Sequence, residues 1–190
     1  MPLHPAEIRG YRELFLTGRQ LVKRWKRLAD ALQGSLAEDA LRSATAGVRE
    51  ALDRLEPLTE KHGLHSRLAA QGTGAGIGSA RSAILDRFLE RNQALRLAVD
   101  DLEHVVTLLA YLATLSDARG HDSLAELCRS AAERLAAHAE AVRRSAVELG
   151  TDPDTAIKPL DASPIGRAAH GTAWTAGTVG EWIDRRAARR

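Results

Sequence analysis

Residues 82–116, SAILDRFLERNQALRLAVDDLEHVVTLLAYLATLS, decide the fold. Phe88, Leu95, Leu102 and Leu109 recur every seven residues, with Asn92, Val99, Val106 and Ala113 beside them. That spacing draws a broad apolar stripe along a helix, the pattern of a core-facing helix in a bundle. The other side of the same stretch carries a second set. Leu97, His104 and Tyr111 recur at the same interval, interleaved with Asp101, Leu108 and Leu115. A helix at the outside of a four-helix bundle needs one stripe only, so the second predicts a cover from a fifth element, a partner subunit or a ligand.

Toward the N-terminus, Pro5 suits a first helical turn, and Ile8, Tyr11, Phe15, Gly18, Val22, Trp25, Ala29 and Leu32 follow at alternating spacings of three and four. Gly34 ends this helix. Ser35 with Glu38 forms a capping-box pattern, so a second helix starts at once and must run antiparallel to the first. Its core face is Leu41, Val48, Leu52 and Leu55; Pro57 kinks or ends it, and His62-Gly63 is the firmer stop. Residues 64–80, with Gly72, Gly74, Gly76 and Gly78, make a connection longer than a tight bundle turn requires. A crossover along the bundle, with the second and third helices parallel, fits that length. The glycines precede a helix, where backbone N–H groups can hold a phosphate, but the Lys-Ser/Thr pair of a phosphate loop and the strand of a dinucleotide site are missing. The segment therefore reads as a loop.

Toward the C-terminus, Arg119-Gly120 predicts a tight turn into a fourth helix over about 123–149, with the seam Leu124, Cys128, Ala131, Leu135, His138, Val142, Ser145 and Leu149. Pro153, Pro159 and Pro164 forbid a long helix beyond it. Residues 168–186 place Trp174, Thr178 and Trp182 at spacing four beside Gly177 and Gly180, a short helix suited to docking on the second face of helix three. The reading is an all-α four-helix bundle over 1–150, a linker or wrap over 151–167, and a short fifth helix with a basic tail over 168–190.

Hydrophobic residues make up 44% of the chain but aromatics only 4%, so the core is built from Leu, Ala, Val and Ile, as tight helix packing uses. A formal charge of +2 is too near balance to imply nucleic acid by itself. The basic charge is local: Arg19, Lys23, Arg24, Lys26 and Arg27 stand together with no acid among them, an arrangement that could meet an anionic surface. The same residues also suit a solvated face with Trp25 inside. The lone Cys128, on a seam, favours a buried thiol in a reducing, cytoplasmic setting. Neither a secretory signal nor an apolar run of membrane-spanning length is present.

One group suggests chemistry. If helices three and four form a hairpin, Asp101 lies level with His138, and His104 shares a helix face with Asp101, a set that could bind iron, manganese or zinc. The Glu-x-x-His pairs of ferritin-like di-iron bundles are missing; Asp101-Leu102-Glu103-His104 is the nearest approach. Without metal, His138 is expected to pair with Asp101. No Ser, His and Asp spacing places a nucleophile beside a base. The functional expectation is a non-enzymatic protein of interaction or self-assembly, a homodimer using Leu97, Leu108, Tyr111, Trp174 and Trp182, without cofactor. The alternatives are a ferritin-like metal-binding bundle and a binder of nucleic acid or anionic surfaces through the first helix.

Overall fold

The structure, a computed structural model, describes residues 2–65, 89–160 and 163. Four long helices, α1 (Pro5–Ala31), α2 (Leu36–Glu60), α3 (Arg91–Ala118) and α4 (Asp122–Glu148), are followed by a 3-10 turn (Leu149–Thr151) and a short α5 (Pro153–Ala156). Each long helix buries a stripe rich in Leu and Ala, with Val on α2, α3 and α4 and with Tyr11, Phe15 and Trp25 on α1, and the four stripes form one core. Neighbours run round the perimeter in the order α1, α2, α4, α3.

Direction follows from which residues meet. Arg24 pairs with Asp101 and Tyr11 with Ser116, so α1 and α3 are antiparallel. Gly47 abuts His138 while Glu50 pairs with Arg134, so α2 and α4 are antiparallel as well. With tight turns at Gly34 and Gly120, both in the left-handed region at φ +80° and +70°, the diagonal pair α2 and α3 must be parallel. The end of α2 and the start of α3 therefore stand at opposite ends of the bundle; residues 66–88 between them, Phe88 among them, lie outside the described residues.

Three local expectations are corrected. Helix three begins at Arg91, not near Ser82, because Leu89 and Glu90 are extended and pair with the chain beyond α5. The Leu160 N–H donates to the Leu89 carbonyl at 2.9 Å and the Arg91 N–H to the Lys158 carbonyl at 3.0 Å, which occupies backbone groups that a longer helix would use. The box at the start of α2 is displaced by one residue: Glu38 accepts from the Gly34 N–H at 2.7 Å, while the Ser35 hydroxyl donates back to the Leu32 carbonyl at 2.6 Å. Leu108, assigned to the outer stripe of helix three, is buried in the core. A helix with two neighbours, here α1 and α4, covers a wider arc than one stripe, and Leu108 falls inside it. The short helix expected over 168–186, with Trp174 and Trp182, lies outside the described residues.

Trp25 is fully buried, as its spacing predicts. Glycines set how closely the helices approach: a Cβ on Gly10 would stand 2.8 Å from Leu112 Cδ2, and one on Gly47 3.0 Å from His138 Cδ2. No helix among the described residues is long and apolar enough to cross a membrane.

Candidate functional site

The three suggested metal ligands face different neighbours. Asp101 accepts a hydrogen bond from Arg24 Nη1 at 3.0 Å, which makes it the acidic half of a bridge to α1. His104 Nε2 stands 3.3 Å from Glu13 Oε1 at the surface. His138 is half-buried against Gly47 of α2, so the expected His138–Asp101 pair gives way to two contacts on different helices. A uniform rise addresses height along the hairpin and not rotation about each axis, which decides whom a side chain meets. Among the described residues no group of three or more His, Cys, Asp and Glu side chains is disposed to hold a metal ion.

The basic cluster of α1 is likewise divided. Arg19 leans to α2 and pairs with Glu56 at 3.6 Å, its guanidinium 5.8 Å above the Phe15 ring, whereas Arg24 leans to α3. Lys23, Lys26 and Arg27 remain exposed on the face away from Trp25.

A different constellation closes one end of the bundle. Glu7, in the first turn of α1, is fully buried. Its Oε2 accepts from the His4 N–H at 2.8 Å, part of the capping box that starts α1. Its Oε1 accepts from the Ser116 hydroxyl at 3.0 Å, in the last turn of α3, and lies 2.8 Å from Nδ1 of His121, the N-cap of α4. An ionised carboxylate has no proton to give, so the directions of the remaining bonds follow. Nδ1 of His121 carries a hydrogen. With the Ser116 proton on Glu7, Ser116 Oγ accepts from the Tyr11 hydroxyl at 2.8 Å, and Tyr11 Oη in turn faces Cys128 Sγ at 3.7 Å. Beside them the rings of His62 and His121 meet at 4.6 Å between centroids, tilted by 50°. One carboxylate thereby anchors α1, α3 and α4, and His62 brings in the end of α2.

Desolvation by burial pushes the Glu7 pKa up, but the hydrogen bonds from His121, His4 and Ser116 outweigh it and hold the carboxyl below its ordinary value. Burial drives the Tyr11 hydroxyl well above the usual phenol range and pushes the Cys128 thiol up to about 11. Such a thiol is not a nucleophile at neutral pH. His121 is 6% exposed and Glu7, Ser116, Tyr11 and Cys128 are at 0%, so the array is a sealed structural network with no surface for a substrate.

This network escapes a search for close-spaced motifs because its members lie more than 100 residues apart. A signal was present in the periods. Glu7 is in register with Leu14, Leu21 and Leu28; His62 with Leu41, Val48 and Leu55; Ser116 with Leu95, Leu102 and Leu109; His121 with Cys128, Leu135 and Val142. Each of the four core stripes ends in a polar residue, and the topology brings all four ends together. Comparison with protein-family models, with curated proteins and with solved structures finds no match for this chain.

Proposed function

We propose that this chain is a non-enzymatic interaction protein that self-associates through the outer face of α3. The observation that carries the reading is the exposure of Leu97 (38%) and Tyr111 (52%) on a helix whose opposite face is already buried. They stand equally far in sequence on either side of His104. A two-fold axis crossing α3 at His104 would set Leu97 of one copy on Tyr111 of the other, twice, as an isologous interface requires. The two anchors are separated by roughly 21 Å along the helix, at about 1.5 Å per residue, so the contact would extend over four turns. Leucine and an aromatic bearing a polar tip suit such a partly wet contact. The sealed state of the Glu7 network supports a scaffold over a catalyst, and the buried thiol of Cys128 suits a reducing, cytoplasmic setting.

Sedimentation of the wild type and of the Leu97→Glu, Tyr111→Glu double variant tests this. The wild type is expected to sediment as a dimer and the variant, altered only at exposed positions, as a folded single chain. A wild-type protein that sediments as one chain at its highest soluble concentration overturns the proposal, as does a variant that stays dimeric.

A further inference from the structure

At the end of the bundle remote from Glu7, the helices line an open-mouthed cavity of about 220 Å³. Its walls include Leu32, Leu36, Leu95 and Leu149, contributed by or next to each of the four long helices. Leu36 is 64% exposed, an apolar side chain at the rim without full cover. Two charged side chains on the same walls make no hydrogen bond or ion pair among the described residues. The Nε of Arg91 is buried and has no hydrogen-bond partner, and Arg91 enters no ion pair among the described residues. Glu148 lines the cavity too, and its carboxylate has no ion pair or hydrogen bond among the described residues. A buried N–H without an acceptor costs on the order of 1–3 kcal/mol, so folded chains rarely retain one without a use.

From this juxtaposition we infer that the cavity binds a small apolar zwitterion of the chemical class of an aliphatic α-amino acid. A turn of the Arg91 side chain that uncovers its buried Nε lets the carboxylate of such a molecule supply the acceptor this N–H lacks, in the planar two-oxygen geometry a guanidinium recognises. The ammonium supplies the donor that Glu148 lacks, and the aliphatic body lies among the leucines. The volume is below the roughly 300–1,000 Å³ of pockets for drug-sized ligands, which restricts the site to a small molecule. Asp152, also on the wall, is committed elsewhere: its Oδ1 accepts from the Thr155 N–H at 3.0 Å and caps α5. Asp152 and Glu148 together repel phosphates and dicarboxylates, and this selects a ligand with one negative and one positive group.

Titration calorimetry with L-leucine, with 4-methylpentanoate (the same skeleton without the amine) and with 3-methylbutylamine (without the carboxylate) tests the assignment. Leucine is expected to bind the wild type saturably, and each half-molecule at least about tenfold more weakly. Arg91→Gln should abolish leucine binding. Glu148→Gln, an exposed change that leaves the fold intact, should weaken leucine about tenfold while leaving 4-methylpentanoate unchanged. Absence of heat with leucine on the folded wild type overturns the inference. So does 4-methylpentanoate binding as tightly as leucine, or a folded Glu148→Gln variant that binds leucine as the wild type does.

Discussion

The two ends of the bundle are made from the same four helices and solve the same problem in opposite ways. At the Glu7 end every stripe finishes in a polar residue, and those residues meet in a network whose donors and acceptors are matched. At the Arg91 end the stripes stay apolar, a cavity remains, and a guanidinium N–H goes without an acceptor. Burial of polar groups is costly only when their hydrogen bonds are missing, so the first end is a clamp and the second a place with unspent binding capacity.

The largest effect that would break this comparison lies at Glu7. Glu7→Ala strands His121, Ser116 and the His4 N–H at once, and should destabilise the protein by about 3–5 kcal/mol, measured by denaturant unfolding. A loss below about 1 kcal/mol would mean that the network is not a clamp. The acid limb of stability gives a second measure of the same group. With its folded pKa lowered, Glu7 contributes stability that is present above its unfolded value and is lost as pH falls through the folded one. Wild-type thermal midpoints should therefore drop below about pH 4.3, and the drop should be shallower in Glu7→Gln, which lacks that ionisation.

A smaller effect is expected at Gly10, near the closed end. An alanine there gains about 1 kcal/mol in helix propensity, but its Cβ would stand 2.8 Å from a terminal methyl of the buried Leu112, and overpacking costs about 1–3 kcal/mol. The crowding term wins, for a net loss of about 1 kcal/mol. In a double-mutant cycle the penalty should be relieved when Leu112→Ala is already present. Gly10→Ala that stabilises the chain would place α1 farther from α3 than described here.

The smallest effect is predicted at the opposite end. Arg91→Met retains length and apolar contact while removing the buried donor that has no partner, so stability should not fall and a gain of about 1 kcal/mol, the lower end of the cost of an unpaired donor, is expected. A loss like that of Glu7→Ala would show that the two ends are equally clamped.

How much of this was legible in the sequence depends on what kind of information each feature uses. The long helices, the hairpin at Gly34-Ser35, the burial of Trp25 and the parallel crossing from α2 to α3 all follow from periods and connection lengths. Those are local quantities, and local reading serves for them. The start of α3 was misplaced because residues 82–90 continue the apolar pattern, while the competing partner, Lys158 to Leu160, lies far along the chain. The site was the least legible part. Height alone matches Asp101 with His138, whereas the direction in which each leaves its helix axis sends one to Arg24 and the other to Gly47. Glu7 reads locally as an ordinary first-turn acid, and only its heptad register with Leu14, Leu21 and Leu28 marks it as an inward-facing charge.

The span of the Glu7 clamp also constrains how the protein is made. Glu7 leaves a ribosome well before His121, which is bonded to it across 114 positions and follows only after α1, α2 and α3 have been synthesised. Until then the first turn of α1 carries an acid on its apolar face with only the local His4 N–H to bond it, and water is the better environment for that turn. The nascent α1–α2 hairpin can associate through its Trp25 half but must stay open at its Glu7 half. Closure of that end is a late step set by contacts of high sequence separation, and it waits until the end of α3 and the start of α4 have arrived.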